Sequence, residues 1–112
     1  MAQKTKVLGT ASPQIGWLAV VSGKQRGRDF RLGQVTNIGR DASQNQIILD
    51  DDAVSAEHAR IKLERKQFML YDLASTNGTL VNGQRVQKHA LFDKDEIVIG
   101  ETKLVFSEVK DQ

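Results

Sequence analysis

Apolar and polar residues alternate in short runs along most of this chain. Ala59-Arg60-Ile61-Lys62-Leu63 puts apolar side chains on one face and charges on the other, the period-two pattern of a half-buried strand. Asp29-Phe30-Arg31-Leu32 repeats that pattern. Trp17 to Val21, Gln67 to Leu70, Glu96 to Ile99 and Lys103 to Phe106 are rich in β-branched or bulky apolar residues, which suit a pleated surface. No segment keeps a 3.6-residue spacing long enough for a substantial helix. Turn residues separate the runs: Ser22-Gly23, Leu32-Gly33-Gln34, Glu64-Arg65-Lys66 and Asn82-Gly83. Asn82-Gly83 lies between Thr79-Leu80-Val81 and Gln84-Arg85-Val86, and this dipeptide tolerates the two positive φ angles of a type I′ hairpin. Many short strands at this spacing predict an all-β sandwich or barrel.

Composition narrows the function classes. The chain has 112 residues, enough for one domain with its own core. It contains no cysteine, which excludes disulfides, thiolate catalysis and Cys-based zinc sites. Sixteen positive residues face fourteen negative ones, for a formal charge of +2. Lys62, Glu64, Arg65 and Lys66 alternate in sign, and aromatics are only 5%, so the charged, stacking stripe of a nucleic-acid binder is missing. The first residues lack the apolar run of a signal peptide, and nothing approaches a membrane-spanning length. We therefore expect a cytoplasmic protein with no membrane insertion. Residues 1–14 read as a flexible tail, 15–109 as the folded domain and 110–112 as a second tail.

Two loops are longer and more polar than a connection requires. One is Gly39-Arg40-Asp41-Ala42-Ser43-Gln44-Asn45-Gln46, followed by Ile47-Ile48-Leu49 and a polar turn that ends in Val54-Ser55-Ala56-Glu57-His58. The other is Asp72-Leu73-Ala74-Ser75-Thr76-Asn77-Gly78-Thr79. They supply an arginine, hydroxyls and amides, with no nucleophile–base set. A planar guanidinium grips two phosphate oxygens at once, and hydroxyls serve the remaining oxygen. Asn77 and Asn82 each offer a donor and an acceptor, which matches a peptide bond. The set suits an oxyanion carried on an extended peptide.

Gly39-Arg40, Asn45-Gln46-Ile47, Val54-Ser55-Ala56-Glu57-His58-Ala59, Ser75-Thr76-Asn77-Gly78-Thr79 and Asn82-Gly83 together resemble the forkhead-associated (FHA) domain signature. Each element is common by itself, but five in this order and spacing are specific. The likeness covers about residues 16–109. It implies a β-sandwich of about eleven mostly antiparallel strands, with loops at one end that bind phosphothreonine. By position, it implies that Arg40, Ser55 and Thr76 hold the phosphate and that Asn77 and Asn82 bond the peptide main chain. Gly39, His58, Gly78 and Gly83 would support the loops. Many family members carry a basic residue or asparagine directly after the motif serine. Here that position is Ala56, which removes one charge-assisted bond worth roughly 1.5–3 kcal/mol.

Taken singly, each residue has a plainer reading. Arg40 would be a snorkelling surface arginine, Ser55 a turn residue, and Thr76-Asn77-Gly78 an ordinary turn. His58 and His89 are the only histidines; neither has ligand spacing, and we expect no metal and no cofactor. The run Asp50-Asp51-Asp52 reads as a solvated turn that disfavours acidic peptide residues where it borders a pocket. The expected partner is a phosphothreonine protein made by an upstream Ser/Thr kinase, and we expect no enzymatic activity. A phospho-independent interaction or oligomerisation module on the same fold is the alternative. Thr5 and Thr10 in the tail offer a further partner, since a phosphorylated tail would reach its own pocket at high effective concentration.

Overall fold

The computed structural model describes residues 14–110, so Thr5, Thr10 and the rest of the N-terminal segment lie outside the described residues. Among the described residues eleven strands run in chain order: β1 Ile15–Ser22, β2 Asp29–Arg31, β3 Val35–Gly39, β4 Ile47–Ile48, β5 Ala59–Glu64, β6 Gln67–Asp72, β7 Thr79–Val81, β8 Gln84–Val86, β9 Lys88–Ala90, β10 Glu96–Ile99 and β11 Thr102–Val109. They form a five-stranded sheet, β9-β6-β5-β3-β4, and a six-stranded sheet, β2-β1-β11-β10-β7-β8. All pairings are antiparallel except β3 with β4. The expected sandwich is therefore present, with the expected strand number.

The alternation seen in the sequence builds the core. Inward residues of the six-stranded sheet include Leu18, Val20, Val81, Ile97, Ile99, Leu104 and Phe106, all buried. Ile38, Ile47, Ala59, Ile61, Phe68 and Leu70 face them from the other sheet. Phe68 and Phe106 meet edge to face across the interior, with ring centroids 5.5 Å apart. A pair in that geometry adds about 0.5–1.5 kcal/mol beyond the area it buries.

Turn chemistry fixes the register. Asn82 and Gly83 adopt φ of 50° and 84°, as the hairpin requires, and Leu80 pairs with Arg85. The β5–β6 hairpin makes the same kind of turn with less suitable residues: Arg65 and Lys66 have φ of 50° and 67°. Each left-handed non-glycine residue costs roughly 1–2 kcal/mol. Two strands escaped the alternation pattern. Val35–Gly39 mixes Thr and Asn with its apolar residues, and Lys88–Ala90 has almost no apolar content. Both are specified by pairing with a neighbour, β3 with β5 and β9 with β6.

The acidic run is a correction to the sequence reading. Asp50 and Asp52 are exposed, but Asp51 is buried. Its carboxylate accepts hydrogen bonds from Ala53 N (2.9 Å), Glu101 N (2.8 Å) and Thr102 Oγ1 (2.7 Å). It clamps the β4–β5 loop to the β10–β11 turn, whereas a solvated turn would leave those donors to water.

Candidate functional site

Strand register brings three loops to one end of the sandwich. Ile38 pairs with Ala59, and Ala59 with Asp72, so the ends of β3 and β6 and the start of β5 share an edge. The loops leaving that edge carry Arg40, Ser55, Thr76 and Asn77. Gly39 is buried where β3 ends, and a Cβ there would collide with the Ala56 carbonyl and come within 2.7 Å of the Asn45 amide. Only glycine lets the first two loops close this tightly. Asn45 then stitches them, its Nδ2 donating to the carbonyls of Asp41 (2.7 Å) and Ala56 (2.8 Å).

Arg40 is exposed and yet held in place. Its backbone N–H donates to Ser55 O at 3.1 Å, and its Nε donates to Val54 O at 2.9 Å. The two terminal amino groups carry no hydrogen bond among the described residues, which leaves the fork available for an anion. Ser55 Oγ accepts the Thr76 N–H at 3.0 Å and keeps its own O–H to donate. Thr76 is exposed, with its hydroxyl uncommitted among the described residues. Asn77 Nδ2 donates to Ala53 O at 2.9 Å, which fixes the amide so that its oxygen and second N–H can face a ligand main chain.

His58 supports this arrangement from below. It is fully buried; its Nδ1 accepts the Ser55 N–H at 3.1 Å, and its Nε2 lies 2.9 Å from Gly78 O. A backbone N–H can only donate and a carbonyl can only accept, so the pair of partners assigns the Nε2–H tautomer. Both nitrogens are used, so the buried ring ties the Ser55 backbone to the Gly78 carbonyl.

Asn82 does not join the cluster. It lies four residues beyond Gly78 along β7, about 13 Å at strand rise. Its Nδ2 donates to Asp95 Oδ1 at 3.0 Å and its Oδ1 accepts the Glu96 N–H at 2.9 Å. Both amide functions thus pin the hairpin to the start of β10. These two bonds give Asn82 a framework role in the hairpin; its second N–H and second lone pair carry no hydrogen bond among the described residues. Gly83 beside it supplies the second positive φ of the turn.

The sequence reading missed Asp72. One carboxylate oxygen accepts Ser75 Oγ (2.6 Å) and Thr79 Oγ1 (2.7 Å), and the other accepts the Ser75 N–H (3.1 Å). Ser75 Oγ in turn accepts the Gly78 N–H at 2.9 Å. Partial burial pushes the Asp72 carboxyl up, but the hydrogen bonds from Ser75 and Thr79 outweigh it and hold it below the ordinary carboxylate range. The available signal was Asp72 three residues before Ser75, the spacing of a side chain that organises its own turn.

The FHA domain profile matches residues 36–100, more than half of the chain. The glycogen accumulation regulator GarA of Mycobacterium tuberculosis is 40% identical over 95 residues, which cover 84% of this chain. The oxoglutarate dehydrogenase inhibitor of Corynebacterium efficiens is 37% identical over 89 residues, or 80% of this chain. The chain spans 58% and 63% of the length of these two relatives. Among solved structures, an FHA domain described in terms of phosphothreonine-dependent interactions superposes with a TM-score of 0.78 at 32% identity, covering 88% of this chain and 99% of that one. The FhaA FHA domain, solved in complex with the intracellular domain of another protein, gives 0.75 at 35% identity over 81% of this chain and 98% of its own. Fold, profile and relatives agree: this chain belongs to the FHA domain family.

Proposed function

We propose that this chain is a phosphopeptide-binding module that recognises phosphothreonine in partner proteins, and that it acts in Ser/Thr-kinase-dependent signalling or assembly as a binder without catalytic activity. The observation that carries this reading is the Arg40 guanidinium. Its Nε is tied to the carbonyl of Val54, the residue before Ser55, and its terminal groups carry no hydrogen bond among the described residues, while Ser55 Oγ takes the Thr76 N–H. A phosphate carries close to two negative charges at neutral pH and three strong acceptor oxygens, which match a guanidinium and hydroxyl donors. Arg40, Ser55 and Thr76 take the phosphate in this proposal, and Asn77 takes the peptide main chain. GarA is named as a regulator, and a regulatory role for this chain is part of the same proposal.

Titration of a phosphothreonine peptide and its unphosphorylated twin tests the reading. We expect binding of the first only, with a loss of tenfold or more in Arg40→Ala at unchanged thermal stability. Equal affinity for both peptides would overturn it in favour of a phospho-independent interaction module.

A further inference from the structure

One arginine near the site is left unused by the mechanism above. Arg85 sits on β8 opposite Leu80 of β7, and Gly78 lies just before the start of β7. The Arg85 side chain crosses diagonally onto Gly78. A Cβ at Gly78 would be 2.6 Å from Arg85 Nε and 2.8 Å from its Cζ, so the guanidinium lies directly over the glycine backbone. Gly78, with φ of 85°, provides both the turn and the space. Arg85 is exposed, and its guanidinium makes neither a hydrogen bond nor an ion pair among the described residues. The framework therefore gives no polar reason for holding a cation there.

The position does offer a reason. Gly78 directly follows Asn77, the proposed main-chain contact. We infer that Arg85 is a specificity-determining residue that pairs with an anionic side chain of the bound peptide near the phosphothreonine; this rests on the phosphothreonine reading. An extended peptide advances about 3.3 Å per residue, so a side chain one to three residues from the phosphothreonine comes within reach. The planar fork suits a carboxylate or a second phosphate equally. On the other flank the Ala53 carbonyl holds Asn77, and the cavity of about 580 Å³ beside it is lined by Asp50, Asp51, Asp52 and Glu101, with Lys24 as its cation. An anion is repelled there and attracted at Arg85, so flanking charge is read directionally.

The test is a fluorescence-anisotropy titration of wild type, Arg85→Gln, Arg85→Lys and Arg40→Ala. The peptides share one phosphothreonine with neutral flanks; in others, glutamate or a second phosphothreonine is walked through three positions on either side. We expect an anion on one flank to tighten wild-type binding about two- to fivefold at low salt. Arg85→Gln should abolish that gain while leaving the neutral peptide within twofold, and Arg85→Lys should keep part of it. A larger gain with the second phosphate than with glutamate would assign the second phosphate as the matching partner. An equal loss for all peptides in Arg85→Gln, or a flank preference unchanged by it, would overturn the inference. Wild type that binds none of the peptides would overturn the phosphothreonine reading and this one with it. Binding that depends on phosphate and Arg40 but ignores flanking charge would overturn this one alone.

Discussion

The imidazole of His58 donates to the carbonyl of Gly78 across 2.9 Å of buried interior, joining two loops that are twenty residues apart in sequence. The same ring accepts the backbone N–H of Ser55. One side chain thus sets the spacing between the serine proposed to touch phosphate and the loop proposed to touch peptide. Removing it in His58→Ala strands a buried carbonyl and an N–H. We expect a stability loss of about 2–4 kcal/mol in urea denaturation, and weaker phosphopeptide binding even where the variant remains folded. A variant as stable as wild type would deny His58 its supporting role.

Asn77 and Asn82 should separate cleanly. Asn82→Ala loses two hydrogen bonds that tie the hairpin to Asp95 and Glu96, and it should cost about 1–2 kcal/mol while leaving phosphopeptide affinity within twofold. Asn77→Ala should do the reverse. Calorimetric binding and melting of the two variants, compared side by side, would expose an exchange of roles.

Acid should unfold the protein through Asp72 and Asp51. Burial raises both carboxyls, but hydrogen bonds outweigh it and leave both below their ordinary values. Their contribution is therefore complete above the unfolded carboxylate value near 3.9 and fades as pH falls through the lower folded values. Urea midpoints should stay level from pH 7 to about 5 and then drop. Asp72→Asn should be less stable at pH 7 and show a shallower drop; an unchanged acid slope would assign the transition to other groups.

The strained hairpin offers a gain. Replacing Arg65-Lys66 by Asn-Gly keeps both positive φ angles and removes most of their cost, so thermal unfolding should rise by the equivalent of about 1 kcal/mol. The turn lies at the far end of β5 from Ser55, so phosphopeptide affinity should not change.

Ala56 is exposed beside Ser55 and can host a donor. Ala56→Arg should tighten phosphopeptide binding by up to about tenfold, the effect of one charge-assisted bond near 1.5 kcal/mol. Its backbone carbonyl, which receives Asp41 N–H and Asn45 Nδ2, is left in place. No gain would show that the phosphate sits away from this position.

Ala59–Glu64 was legible because a half-buried sheet imposes period two on the side chains, and Glu96–Ile99 because β-branched residues suit a pleated surface. The Asn82-Gly83 turn was legible because few dipeptides accept its backbone. β3 and β9 were not, since their partners across the sheet specify them. Arg40, Ser55, Thr76 and Asn77 were singled out as a candidate site by residue type, order and spacing, and the fold brings the loops that carry them to one end of the sandwich. The framework bonds of Asn82 were not legible, because an asparagine that serves a turn and one that serves a ligand look identical in sequence. Asp72 and Asp51 were missed because a carboxylate that organises backbone donors reads as a surface charge until its partners are seen. Arg85 gave no signal, as its contact with Gly78 depends on a diagonal across a hairpin.

Because Asp72, Ser75 and His58 already tie down the loop that carries Thr76 and Asn77, a ligand meets a surface that needs little further ordering. Little conformational entropy is then lost on docking. Partners differing only in the residues around their phosphothreonine should associate at similar rates, and the lifetimes of their complexes, not their rates of encounter, should sort them.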